Sequence, residues 1–249
     1  MCLHGFTGTW RTWELVLPML ERHHDVLALT LPGHAGGPPI DGELSGTLMA
    51  EAVERAMDAA GFQTAHLVGN SLGGYVALQL AARGRARSVV ALAPAGGWAS
   101  EDTTREDTLR WFAEMHAGVK AQAPNAAALL ATAGGRRQAS QALVERCEHI
   151  PRELLAHQML GTASCPSLHE MIAFALRAGY PLDPDRIACP VRVVWGTEDR
   201  LLAWPAAAAR FRRDWLAHAD WVELDGVGHA PQLDVPLEAA QLIVGFTAR

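Results

Sequence analysis

Thr64-Ala65-His66-Leu67-Val68-Gly69-Asn70-Ser71-Leu72-Gly73-Gly74 passes from an apolar, strand-like run straight into a helical pattern that continues to about Arg83, where Gly84 stops it. The helix is expected to begin at Ser71 or Leu72. A strand that turns so sharply into a helix strains the backbone at Ser71, and residues two positions to either side must be small for strand and helix to meet. Gly69 and Gly73 meet that need. The turn holds the Ser71 hydroxyl clear of the backbone and aims the Leu72 N–H, at a helix N-terminus, toward any negative charge that develops beside it. Strand, exposed hydroxyl and helix in this order make a nucleophile elbow.

Outward from this turn, β-rich runs at 25–30, 64–68 and 87–92 alternate with helical spacing, first Trp13, Val16, Leu17 and Leu20, then Leu44, Leu48, Ala52, Val53 and Ala56. That alternation predicts an α/β fold, a mostly parallel sheet with helices on both faces. From Gly96 to about Arg186 the alternation ceases and helical patterns follow one another. Leu168, Met171, Ile172, Ala175 and Leu176 form one stripe, Ala139, Leu143, Val144 and Cys147 another, and Pro151 is placed as a first helical residue. Strand signals resume at 191–195 and 221–224, separated by an alanine-rich stretch, 205–217, that predicts a helix. Residues 1–95 and 187–249 thus form one core, with 96–186 as a helical insertion.

Composition narrows the function classes. The 249 residues are 49% apolar, enough for a large shared core, and the net charge of −6 arises from scattered signs. No basic block offers a nucleic-acid surface. Four cysteines lie far apart without a metal or disulfide spacing, and no run is long and apolar enough to cross a bilayer. A cytoplasmic protein with no membrane, metal or cofactor requirement is the expectation. His169-Glu170 lacks the second histidine of a zinc-protease helix, and Gly33 to Gly37 lacks the Lys-Ser/Thr of a phosphate loop. Met1 falls just before His4-Gly5, so any strand leading into that pair is cut short and N-terminal strands are expected to be missing. A sheet edge left open in this way is able to pair with a second copy, which makes a homodimer a further expectation.

Four segments together resemble the α/β-hydrolase superfamily, in its capped serine esterase, lactonase and carbon-carbon hydrolase branch: His4-Gly5-Phe6-Thr7-Gly8, Leu31-Pro32-Gly33-His34-Ala35-Gly36, the elbow, and Gly226-Val227-Gly228-His229-Ala230-Pro231. The resemblance covers nearly the whole chain. It implies that the first loop contributes an oxyanion donor, the backbone N–H of Phe6, beside that of Leu72. The second loop departs from the family's pattern at Ala35 and is read as structural. The helical insertion corresponds to the family's lid, whose Trp98, Trp111, Phe112 and Met115, together with Phe6, would contact substrate.

The same resemblance places the acid after a late strand, where Val193-Val194-Trp195-Gly196-Thr197-Glu198-Asp199 stands, and Asp199 is preferred to Glu198. Among eleven histidines, His229 completes the Ser, Asp, His order of this fold, so Ser71, Asp199 and His229 are the expected triad. The implied reaction is cleavage of a small-molecule acyl substrate, a small or medium carboxylic ester or a lactone or thioester, through an acyl-enzyme. Carbon-carbon bond hydrolases and the menaquinone-pathway lyase use the same triad, although Ala230 stands where the former usually carry tryptophan and Asn70 where the latter usually has tyrosine. Haloalkane dehalogenases and epoxide hydrolases of the fold use an aspartate nucleophile, against which Ser71 argues. A ligand receptor on the same scaffold is the third alternative.

Overall fold

The computed structural model describes residues 1–99 and 102–248. Six strands, β1 (Cys2–Leu3), β2 (Ala28–Leu29), β3 (Ala65–Asn70), β4 (Ala86–Leu92), β5 (Val191–Gly196) and β6 (Asp220–Leu224), form one parallel sheet in the order β2-β1-β3-β4-β5-β6. The chain is thus a doubly covered α/β sheet, the α/β-hydrolase fold. In β4 the alternation of side chains sends Val89 and Ala91 to one face and Val90 and Leu92 to the other, and all four are fully buried. On the first face pack α2 (Leu48–Ala59) and α3 (Leu72–Ala82). On the second, Trp13 and Val16, Leu20 of α1 (Leu17–Leu20), and Ala239, Ala240, Ile243 and Phe246 of α10 (Pro236–Thr247) cover Cys2, Val68, Val90 and Val194. Helix α3 is apolar on every side because it runs through the centre, between sheet and helical layer.

Among the described residues between β4 and β5 there are only helices and turns: α4 (Thr104–Gln122), α5 (Ala126–Leu130), α6 (Ala133–Ser140), α7 (Arg152–Ala163) and α8 (Leu168–Ala178). Two apolar clusters join this segment to the carboxyl ends of the strands. Leu130, Val144, Cys147, Ile150 and Leu154 pack on Ala230 and Leu233, and Leu109, Phe112, Leu168 and Met171 pack on Leu201.

Several elements differ from expectation, each for a local reason. The helical stripe at 13–20 is a 3-10 turn (Trp10–Trp13) followed by α1, since Pro18 lacks the N–H a continuous helix needs. The expected helix from Leu44 starts at Leu48, because the Gly46 carbonyl accepts from Gln79 Nε2 (2.7 Å). Leu143, Val144 and Cys147 lie in turns; the backbone groups a helix would pair internally go to the loop at 228–234, described below. The stretch 205–217 is broken into a 3-10 turn (Ala206–Ala208) and a wide π turn (Phe211–Trp215), because Arg210 N–H donates to Gly97 O (2.7 Å) and Leu216 N–H to Phe211 O (2.7 Å). Pro151 caps α7 from just outside it.

Candidate active site

Ser71 follows β3 and precedes α3 with φ 54° and ψ −117°, a conformation disfavoured for any residue with a Cβ. Its N–H donates to Leu92 O (2.9 Å) and its carbonyl accepts from Ala95 N–H (3.0 Å), so the surrounding strands hold the strain in place. The small neighbours are obligatory. A Cβ at Gly69 would strike the Gly73 carbonyl, and one at Gly73 would strike the Leu3 carbonyl of β1.

Asp199 and His229 leave the carboxyl ends of β5 and β6, and His229 Nδ1 donates to Asp199 Oδ2 at 2.7 Å. Both side chains are withdrawn from solvent. The other carboxylate oxygen, Oδ1, accepts from the backbone N–H of Leu201 (2.9 Å) and Leu202 (2.7 Å), and Trp195 Nε1 donates to Leu202 O (3.0 Å) to close that turn. Such a carboxylate fixes the tautomer of the ring, leaving Nε2 as the basic atom. His229 Nε2 is buried and has no hydrogen-bond partner among the described residues. His229 and Ser71 line one chamber of about 460 Å³, and no hydrogen bond joins their side chains. Glu198, the alternative acid, makes no hydrogen bond to the ring; its backbone N–H donates to Val227 O (2.9 Å).

The loop from His4 to Gly8 is set by a neutral imidazole. His4 Nε2 accepts from Leu31 N–H (2.8 Å), so Nδ1 carries the hydrogen and donates to Gly5 O (2.7 Å). Burial, reinforced by neighbouring His34, pushes the His4 ring well below the ordinary histidine range and keeps it uncharged. His34 stands edge-on to it, donates to Pro32 O (3.0 Å) and is pushed down to about 4 by burial. Gly5 O is engaged further by Gly8 N–H (3.0 Å), whereas the Phe6 N–H meets no acceptor among the described residues. Leu72, the first residue of α3, has no acceptor one helical turn back. Phe6, Trp111 and Met115 line the Ser71 chamber, and Trp98 lines a second, smaller one that Ser71 and Phe6 also border.

Three buried residues outside the expected site hold the histidine loop. Asn70 Nδ2 donates to Leu92 O (3.1 Å) and His229 O (3.0 Å), while its Oδ1 accepts from Gln232 Nε2 (3.1 Å). Asp234 accepts the Gly228 N–H (2.7 Å), the Glu145 N–H (3.0 Å) and the Arg146 N–H (2.9 Å). Ala230 N–H donates to Leu143 O (2.8 Å), and His149 Nε2 to Leu233 O (2.7 Å), completing a seam between helical segment and loop. No sequence motif marks Asp234, two of whose partners, Glu145 and Arg146, lie 89 and 88 positions away.

A hydroxyl on a strained elbow and an imidazole oriented by a buried carboxylate share one cavity, with the unpaired Phe6 and Leu72 backbone N–H groups beside the hydroxyl. The alpha/beta hydrolase family profile matches residues 1–242. The chain belongs to the alpha/beta hydrolase family. As a hydrolase it is 32% identical over 210 residues, 82% of the chain and 95% of the relative, to an epoxide hydrolase, EphH, of Mycobacterium tuberculosis (strain ATCC 25618 / H37Rv). It is 24% identical to a monoacylglycerol lipase, ABHD6, of Bos taurus, over all of this chain and 74% of the relative. Among solved structures, a thermophilic esterase from Thermogutta terrifontis superposes with a TM-score of 0.71 at 21% identity, covering 98% of this hydrolase and 87% of the esterase. Among the described residues of the hydrolase no group of three or more His, Cys, Asp or Glu side chains is placed to hold a metal, and no helix is long and apolar enough to cross a membrane.

Proposed function

We propose that this hydrolase cleaves neutral carboxylic esters, with Ser71 as nucleophile, His229 as base and Asp199 as the group that orients it. The observation that carries this is the buried 2.7 Å bond from His229 Nδ1 to Asp199, which leaves Nε2 unpaired in the wall of the Ser71 chamber. Ser71 Oγ attacks the acyl carbon as His229 Nε2 takes its proton; the C–O bond then breaks and the alcohol departs with that proton. Water repeats the sequence on the acyl-enzyme and returns the proton to Ser71. The Phe6 and Leu72 N–H groups stabilise both tetrahedral oxyanions. Catalytic serine–histidine hydrogen bonds are commonly long in the free protein and tighten around substrate. The helical segment acts as the lid, and the chemistry needs no cofactor.

Two observations separate this from neighbouring chemistries. A serine that opened an epoxide would be left as an ether, which water does not cleave under these conditions; a carboxylate nucleophile would give a hydrolysable ester, and position 71 has none. Ring-cleavage dienoates carry a carboxylate, and among the described residues no Lys or Arg lines either chamber bordering Ser71 to receive it. Labelling by a fluorophosphonate probe and hydrolysis of p-nitrophenyl acetate test the assignment. Ser71→Ala should abolish labelling and lower turnover by about 10⁶-fold; a folded variant that hydrolyses at the wild-type rate refutes it.

A further inference from the structure

Ser71 stands at the junction of two chambers. Among the described residues only Ser71, Phe6 and Phe112 border both, and the two phenyl rings meet edge to face with centroids 4.9 Å apart, forming the partition. His229 lines only the larger chamber. On the reading proposed above, the leaving alcohol must take its proton from His229 Nε2, so it departs on the histidine's side. The geometry therefore assigns the alcohol to the larger chamber and the acyl chain to the smaller.

The two chambers differ in size and in chemistry. The smaller encloses about 100 Å³ among Met49, Val76, Trp98, Leu109, Met171 and Phe174. Most polar groups on its wall are already engaged: Tyr75 Oη donates to Pro181 O, Gln79 Nε2 donates to Gly46 O and Tyr75, Thr108 Oγ1 donates to Thr104 O, and Ser45 Oγ lies 3.4 Å from Thr47 Oγ1. Apart from Ser71 and the Tyr180 hydroxyl, the surface facing the space is mostly apolar. A cavity of about 150 Å³ takes a benzene ring; at about 100 Å³ this chamber is smaller and suits a short acyl chain.

The larger chamber, about 460 Å³, is lined by four glutamines of the helical segment: Gln122, Gln138, Gln141 and Gln158. None of their side chains makes a hydrogen bond among the described residues, and Gln158 Nε2 is buried without an acceptor there. Thr7 and Thr162, 3.3 Å apart through their hydroxyls, add further donors and acceptors. Among the described residues, no ionisable side chain but that of His229 lines the space. An amide offers one donor end and one acceptor end, which matches a hydroxyl and gives an ion nothing to pair with.

We infer that the substrate is an ester of a short acyl group with a neutral, hydroxyl-rich alcohol, the acyl chain lying beyond the Phe6–Phe112 partition and the alcohol among the lid glutamines. Five esters test this, with kcat/KM read from acid release in a pH-stat: 6-O-butyrylglucose, hexyl butyrate, butyrylcholine, 6-O-octanoylglucose and 6-O-benzoylglucose. Butyrylglucose should exceed each of the others by about tenfold or more. The variants Gln138→Leu and Gln158→Leu should narrow the ratio of butyrylglucose to hexyl butyrate, each by about threefold or more, because the loss falls on the hydroxyl-bearing ester. The wild-type ratios decide the matter even where a variant does not fold. Preference for hexyl butyrate, butyrylcholine, or the octanoyl or benzoyl ester overturns the inference while leaving Ser71-dependent ester hydrolysis intact. Absence of Ser71-dependent hydrolysis of every ester overturns both.

Discussion

Replacing Asp234 with alanine should both destabilise the protein and slow it. The carboxylate is 2% exposed and accepts three backbone N–H groups, from Gly228 at 2.7 Å, Arg146 at 2.9 Å and Glu145 at 3.0 Å. Removing the acceptor leaves those donors unpaired in a place water reaches poorly, at about 1–3 kcal/mol each. The three share one group and do not add fully, so the expected loss is about 4 kcal/mol. Asp234→Asn keeps one amide oxygen for two of the donors and should lose about half as much. Because Gly228 precedes His229, freeing it lets the imidazole drift, and a displacement of about 1 Å costs roughly 10²-fold in kcat. Urea denaturation followed by tryptophan fluorescence gives the stability, and p-nitrophenyl acetate turnover gives the rate. A loss under about 1 kcal/mol with unchanged kcat would show that the carboxylate neither holds the loop nor positions the base.

Asp199→Asn, measured on the same ester, should lower kcat by about 10⁴-fold, because the ring then loses the tautomer that leaves Nε2 basic; a loss under tenfold counts against its role. Asn70→Ala releases the His229 carbonyl and strips Gln232 of an acceptor, and a drop of about 2 kcal/mol in chemical denaturation is expected. Gly73→Ala would push a methyl into the Leu3 carbonyl and should cost about 3 kcal/mol or more, visible as a lowered Tm or as insoluble protein. The unfolded His34 ring takes up a proton near 6.5 and the folded ring only near about 4, so the unfolded chain binds more protons between those values. Stability should therefore be complete above pH 6.5 and fall by up to about 3 kcal/mol toward pH 4. His34→Asn should flatten that dependence, and an unchanged slope in denaturation curves would contradict the assignment.

The elbow was legible because its requirements are local: a strand, two small residues and a helix leave few other structures for Gly69 to Gly73. Asp199 and His229 were legible from chain order, since each follows its own strand, and the bond between them joins residues thirty positions apart that the parallel sheet brings side by side. The Asp234 seam was not legible. Two of the three Asp234 partners come from the helical segment, and the same hydrogen bonds explain why 143–147 does not coil into the helix its spacing predicts. Alanines at 206–209 likewise favour a helix by propensity, which tertiary contacts at Arg210 and Leu216 override. The glutamines could be counted in the sequence, but their convergence on one chamber depends on how four helices and turns are folded together.

The segment between β4 and β5 leaves and rejoins the sheet on adjacent strands, with Leu92 level with Val194. Both ends of that excursion are thus anchored whatever lies between them, and a chimaera carrying another family member's insertion should keep its scaffold. One requirement travels with the graft: it must present two successive amides to Asp234 and a carbonyl to Ala230, or the transplanted roof will rest on a base it no longer steadies.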